Sequence, residues 1–121
     1  MRVRLSKSFS FEAALWLPRF PDGHKCRRLH GHSFHVDVVA EGPVSEGTGC
    51  RVDFGEIKKA IAPIEEKLDH RCLNDIEGFE NPRARMSIRW IRDRVSGQIP
   101  CLFETRVKET CTNECVYRGG A

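Results

Sequence analysis

The sequence predicts an α+β domain with a four-stranded antiparallel sheet and two helices on one face of that sheet. Three observations predict it: two alternating apolar and polar stretches come first, two helical stripes follow, and two shorter alternating stretches close the chain. The predicted order is therefore strand, strand, helix, helix, strand, strand. We expect residues 1–121 to form a single domain, because 121 residues is close to the commonest domain size.

The first two strands are predicted by apolar residues that recur at every second position. Residues 3–14 place apolar side chains on one face once a slip at Ser6–Ser8 is allowed, and a Pro- and Gly-containing loop follows at Pro18–Gly23. Alternation resumes from Leu29 to Ala40 and ends at Gly42-Pro43. Residues 43–52, rich in Gly, Ser and Thr, are predicted to be a connector.

The first helix is predicted over residues 54–69. Asp53 and Glu56 form a capping box, with Asp in place of the usual Ser or Thr, and Pro63 inside the helix predicts a kink. The apolar stripe consists of Ile57, Ala60, Ile61, Ile64 and Leu68.

A second helix is predicted from Asn81-Pro82, as N-cap and first helical residue, to about Ser96, where Gly97 ends it. The last two strands are predicted at Leu102–Thr110 and Val116–Arg118, with a turn at residues 112–114 between them. The outer strands of such a sheet are edges, and assembly into a closed ring would protect them.

Composition excludes several classes of protein. The net charge is +3, from 20 basic and 17 acidic residues, which is too small to indicate nucleic-acid binding. No apolar run reaches the roughly 18–20 residues of a membrane span. The N-terminus lacks the continuous apolar region of a signal peptide, so we expect a cytoplasmic protein whose six cysteines are thiols.

The segment CRRLHGHSFHV, residues 26–36, carries the strongest chemical signal. His30 and His32 are two apart on a predicted strand, so both imidazoles leave the same face and could converge on one zinc ion. Two half-exposed polar residues are the alternative. Cys26 lies among basic neighbours that would stabilise a thiolate. The alternative is a loop cysteine with no functional role.

Two further features could take part in chemistry. Asp69 beside His70 could form a proton-transfer pair, or His70 could simply favour the negative end of the preceding helix. Glu109 could accept two parallel N–H bonds from a 2-amino-4-oxo heterocycle, or it could be an exposed strand residue. The other five cysteines are interpreted as structural.

Together these motifs resemble the bacterial 6-pyruvoyl-tetrahydropterin synthase family, most closely its 6-carboxytetrahydropterin synthase branch. The resemblance covers nearly the whole chain and rests on FEAALWLP, GHKCRRLHGHSF, VDFGEIK, LDHRCLND, the NP pair at 81–82 and VKETCTNECVYRG. It implies a tunnelling fold in which ββααββ units form a trimeric barrel and two trimers stack into a hexamer, with active sites at subunit boundaries.

The resemblance also implies a reaction and roles for residues. The reaction converts 7,8-dihydroneopterin triphosphate to 6-carboxy-5,6,7,8-tetrahydropterin, with loss of acetaldehyde and triphosphate, on the route to queuosine. His30 and His32 would bind Zn²⁺, and Cys26 would be the thiolate base. Asp69 and His70 would transfer the partner proton, and Glu109 would anchor the pterin.

The sequence departs from the family pattern near this expected site. Leu15 stands where the family has the third zinc-binding His, and Arg27 and Arg71 stand where a Gly and a His are usual. The usual NPTSE reads NPRAR, with Arg83 and Arg85. Three hypotheses follow: a catalytically impaired synthase, an active enzyme with a replacement ligand, and a pterin- or purine-binding or assembly module.

Overall fold

In the computed structural model, residues 2–43, 53–109 and 113–120 are described. The elements are β1 (Arg2–Leu15), β2 (His30–Pro43), α1 (Phe54–Leu68), β3 (Arg71–Cys72), α2 (Ala84–Ser96), β4 (Leu102–Glu109) and β5 (Asn113–Tyr117). They form one sheet in the order β3-β1-β2-β4-β5, with β3 parallel to β1 and the other pairs antiparallel. The predicted α+β class is confirmed, and the two-residue β3 makes the sheet five-stranded rather than four-stranded.

The β1–β2 hairpin positions the site, because its register is unbroken from Arg2 opposite Pro43 to Leu15 opposite His30. The slip predicted at Ser6–Ser8 is wrong, because the register is continuous there. Lys7 lies on the inward face, at a position where strict alternation would place an apolar side chain. Since side chains alternate between faces, Leu15 and His30 emerge on the same face at the end of the hairpin.

That face of the sheet is also the one that packs against the helices. The rings of Phe11 and Phe34 stack at 4.7 Å between centroids. They belong to one cluster of buried apolar side chains that the helices complete, including Val36, Ile57, Ile61, Leu68, Ile88 and Ile91. The site at the loop end of the hairpin, where Leu15 pairs with His30, therefore rests on a packed layer.

The start of α1 follows its capping signal, whereas the start of α2 departs from the signal in the sequence. Asp53 accepts a hydrogen bond from the Glu56 N–H at 2.8 Å, as the capping box predicts, and α1 continues through Pro63. The predicted start of the second helix at Asn81-Pro82 is wrong by two residues, because Arg83 is the N-cap and its side chain makes no capping bond.

Three further expectations meet the structure differently. The last strand begins at Asn113 rather than Val116, because hairpin pairing with Glu109 continues through polar residues. Cys101 is disulfide-bonded, so the expectation of thiols is wrong there, whereas Cys26, Cys72 and Cys115 are free. The connector beyond Pro43, the start of the turn at 112–114, Cys50 and Cys111 lie outside the described residues.

Among the helices of the described ranges, none is long and apolar enough to cross a membrane.

Glu104 on β4 is a buried charge that the fold satisfies with two guanidinium groups. Its carboxylate accepts hydrogen bonds from Arg106 Nε and, at 3.0 Å, from Arg118 Nε. Burial raises the pKa of Glu104, but these hydrogen bonds outweigh burial and hold the pKa below its usual 4.5. The stabilisation is therefore present above about pH 4.5 and is lost as pH falls through the lowered pKa.

We expect Glu104→Gln to lower the free energy of unfolding at pH 7 by about 1–2 kcal/mol, because two charge-assisted bonds are weakened. The loss should shrink as pH falls below about 4.5. Urea unfolding at several pH values measures this. The control is Glu114→Gln, whose exposed carboxylate lies 3.8 Å from Lys108 Nζ and should matter little. Equal effects of the two substitutions would contradict the assignment.

Candidate active site

A cavity of about 510 Å³ opens at the end of the β1–β2 hairpin. Its walls come from β1, the following loop, β2 and the β4–β5 hairpin, and they combine apolar, basic, thiol, imidazole and carboxylate side chains. The lining residues are Leu15, Leu17, Lys25, Cys26, His30, His32, Glu109 and Asn113. Four residues with chemical roles predicted from the sequence, Cys26, His30, His32 and Glu109, therefore share one cavity with Leu15.

His30 and His32 project from the same face of β2, as their spacing predicts. Their ring centroids are 4.8 Å apart and the rings are nearly perpendicular, at 88°. His30 Nδ1 lies 2.6 Å from the Arg28 carbonyl oxygen. Because a carbonyl only accepts, Nδ1 carries the proton, and in the neutral ring the lone pair is on Nε2.

Leu15 stands at the position for which the resemblance implies a third zinc-binding imidazole. It pairs with His30 across the hairpin, lines the cavity and is 1% exposed, so it supplies a buried apolar wall and no donor atom. Although four potential ligands line the cavity, no three His, Cys, Asp or Glu side chains of the described residues are grouped closely enough to hold a metal ion. These residues do not fit a three-ligand zinc site.

Cys26 lies in a single 3₁₀ turn, Lys25–Arg27, within the loop that joins β1 to β2. The Leu17 N–H donates to the Cys26 carbonyl at 2.9 Å, which ties this turn to the end of β1. Its thiol is free and half-buried. A small, partly exposed nucleophile or base is thus held at the wall of the cavity.

Glu109 is the last residue of β4 and pairs with Phe34 on one side and Asn113 on the other. Its Oε1 atom is 3.7 Å from His32 Nε2, and its side chain is 22% exposed. The carboxylate therefore faces the imidazoles inside the cavity. It can accept hydrogen bonds from a ligand there.

Asp69 and His70 lie elsewhere, on the outer edge of β1. The Glu12 N–H donates to Asp69 Oδ1 at 3.0 Å, and the His70 N–H donates to the Glu12 carbonyl at 2.6 Å. His70 then lines a second groove of about 610 Å³ that includes Gly31, Ser33 and Arg71. Neither residue lines the cavity that contains Cys26.

The Asp69–His70 pair nevertheless has features of a functional pair. The Glu12 N–H, and then the His70 side chain 3.0 Å away, hold the pKa of Asp69 below its usual value. His70 has a φ of 59°, a left-handed conformation that is uncommon for a non-glycine residue. Its ring is 79% exposed, so another molecule can reach it.

Two of the unusual arginines stabilise the loop that carries Cys26. Arg27 Nη1 donates to the carbonyls of Pro18 and Phe20, and its Nε is 2.7 Å from Asp22 Oδ1. The Arg83 guanidinium lies over the Phe20 ring, 5.1 Å from its centroid. Arg71 lines the groove beside His70, and Arg85 is exposed.

The family model for 6-pyruvoyl tetrahydropterin synthase matches residues 4–120 of this chain. The chain belongs to the 6-pyruvoyl tetrahydropterin synthase family. Members of this family are lyases, and the chain is a lyase-type enzyme by that membership. The resemblance inferred from the sequence motifs is confirmed.

Individual members of the 6-pyruvoyl tetrahydropterin synthase family are similar over nearly the whole chain. The 6-carboxy-5,6,7,8-tetrahydropterin synthase of Synechocystis is 40% identical over 92% of this chain and 89% of its own length. The Bacillus subtilis enzyme of the same name is 31% identical, over 94% and 84%. The Caenorhabditis elegans 6-pyruvoyl tetrahydropterin synthase structure, at 24% identity, shares the fold with a TM-score of 0.87 over 99% and 97%.

Lys25, Leu17 and Asn113 line the same cavity in this member of the 6-pyruvoyl tetrahydropterin synthase family, and sequence reasoning missed them as site residues. The sequence did contain a signal for Lys25 as a site residue, because it adjoins Cys26. Asn113 had none, since its place depends on the β4–β5 pairing with Glu109.

Proposed function

We propose that the protein is a 6-carboxy-5,6,7,8-tetrahydropterin synthase that acts on 7,8-dihydroneopterin triphosphate in the cytoplasm. The observation that carries the proposal is the single cavity that joins Glu109, Cys26, His30 and His32. The similarity to the Synechocystis and Bacillus subtilis enzymes supports this choice of product. Such a product would serve the synthesis of 7-deazapurines, for example on the queuosine route.

Glu109 is suited to bind the pterin ring. A carboxylate has two oxygens that can accept parallel N–H bonds, and the 2-amino-4-oxo edge of a pterin presents two adjacent N–H groups. A cavity of about 510 Å³ lies within the usual range for small-molecule sites. With the ring on Glu109, the C6 side chain of the pterin would extend toward Cys26 and the imidazoles.

Cys26 is suited to move a proton on that side chain. Its sulfur shares the cavity with the positively charged side chain of Lys25. His30 offers the Nε2 lone pair as a hydrogen-bond acceptor for a substrate hydroxyl. Because the donors do not fit a zinc site, these roles would fall to the side chains themselves.

We infer that Asp69 and His70 complete the site between chains of a homo-oligomer, a trimer or hexamer. Within the described part of the chain, most of β1 has no strand on its outer side, because β3 pairs only with Ala13 and Ala14. Such an edge favours pairing with another copy. A strand of a partner subunit paired there would bring that subunit's cavity close to His70, which projects from this edge.

The proposal is tested by incubating the purified protein with 7,8-dihydroneopterin triphosphate. We expect 6-carboxytetrahydropterin and acetaldehyde in equal amounts, and a loss of product in Glu109→Gln through a raised KM. Pterin binding without any product would indicate a binding module instead. Neither binding nor product would overturn the assignment of the cavity.

A further inference from the structure

The position of Cys26 depends on local contacts, because the residue lies on neither a strand nor a long helix. Its 3₁₀ turn spans three residues in the loop between β1 and β2. A turn this short has little stability of its own. The groups that hold the turn therefore decide where the sulfur lies relative to a ligand in the cavity.

His24 caps this turn. Its Nδ1 atom accepts a hydrogen bond from the Cys26 N–H at 3.1 Å, and its carbonyl accepts from the Arg27 N–H at 3.0 Å. Asp, Asn, Ser and Thr usually fill such a position, since their side-chain oxygens accept from the first amides of a turn. An imidazole can do the same only while Nδ1 is unprotonated, which requires the Nε2–H tautomer when the ring is neutral.

The His24 ring is itself held by a stack that reaches α2. Its centroid is 4.3 Å from that of Phe20, with 27° between the ring planes. The Arg83 guanidinium also contacts the Phe20 ring. The start of α2 is thus connected to Cys26 through three successive side chains.

We propose that His24 is a positioning residue for Cys26, with Phe20 and Arg83 holding the imidazole in its capping geometry. The inference deepens the proposed function and rests on it, because Cys26 needs a fixed position only if its sulfur reacts with the bound substrate. It also gives Arg83, which stands outside the family pattern, a role in stabilising the loop rather than in binding the ligand. A displacement of about 1 Å at a reacting group can cost on the order of 100-fold in rate.

Two substitutions distinguish loss of the capping acceptor from a change in side-chain size. His24→Leu removes the acceptor, whereas His24→Asn restores a side-chain acceptor of the kind that caps turns well. We expect His24→Leu to lower kcat by about 10- to 100-fold with KM within about twofold of wild type, since ring binding by Glu109 is untouched. His24→Asn should recover most of kcat.

A measurement without substrate keeps this inference separate from the proposed function. Amide hydrogen exchange at Cys26 should be faster in His24→Leu than in wild type and should slow again in His24→Asn. The imidazole ¹⁵N shifts of wild type should report the Nε2–H tautomer at neutral pH. The control is His35→Leu, because His35 contacts Ser10 and Asp37 on the polar face of the sheet.

Exchange and NMR report the capping geometry whether or not wild type makes product, so loss of the cap and absence of turnover are detected separately. Faster exchange in His24→Leu alone, with rescue in His24→Asn, supports the positioning role. Unchanged exchange in His24→Leu, no rescue in His24→Asn, an equal effect of His35→Leu or an Nδ1–H tautomer would overturn it.

Discussion

Leu15→His should raise the affinity of the protein for zinc by at least about 100-fold, because even second-shell changes at zinc sites alter affinity 10- to 100-fold. The new imidazole would lie opposite His30 in the hairpin register, on the face from which His32 also projects. Three imidazoles there would form the ligand set of an open zinc site. Zinc titration against a competing chelator measures the gain.

The matched control for this result is Leu17→His. Leu17 lines the same cavity but lies beyond the end of β1, outside the pairing with β2. Without metal, Leu15→His should be less stable by about 1–3 kcal/mol, because it buries a polar ring in place of a leucine. Zinc should offset that loss in thermal unfolding. Unchanged zinc affinity, or an equal gain in Leu17→His, would contradict the assignment of Leu15 to the third ligand position.

Cys26→Ala should lower the rate of product formation by about 10³-fold or more, in line with the loss of a general base. Pterin binding should persist, because Glu109 and the rest of the cavity remain. The product assay and a pterin titration measure these two effects separately. Cys115→Ala removes another free, half-buried thiol outside the cavity and should leave the rate near wild type. A near-normal rate in Cys26→Ala would remove this thiol from the mechanism.

The strands and helices that carry strong periodicity were predictable from the sequence, and so was half of the site. Alternation around Phe11 and Phe34 marks buried strand faces, and Asp53 marks a helix start, because each is a local property. His30 and His32 share a face for the same reason. Their meeting with Glu109 needed the β2–β4 register, in which Glu109 pairs with Phe34.

The remaining features depend on contacts between distant parts of the chain. Asp69 and His70 bond to the backbone of Glu12, and no local pattern indicates that they lie on the outer edge of β1, away from Cys26. The start of α2 at Ala84 departs from the local Asn-Pro signal. The cap on Cys26 was missed because histidine is not a usual capping residue.

The most direct test of the account is whether Cys26 and His70 act on one substrate from different chains. Cys26→Ala and His70→Ala should each be nearly inactive alone. Co-expressed in equal amounts, they should recover about one quarter of wild-type activity, because a random ring places an intact thiol beside an intact His70 at about one boundary in four. Activity no higher than that of the separate variants, in oligomers shown to contain both chains, would contradict the account.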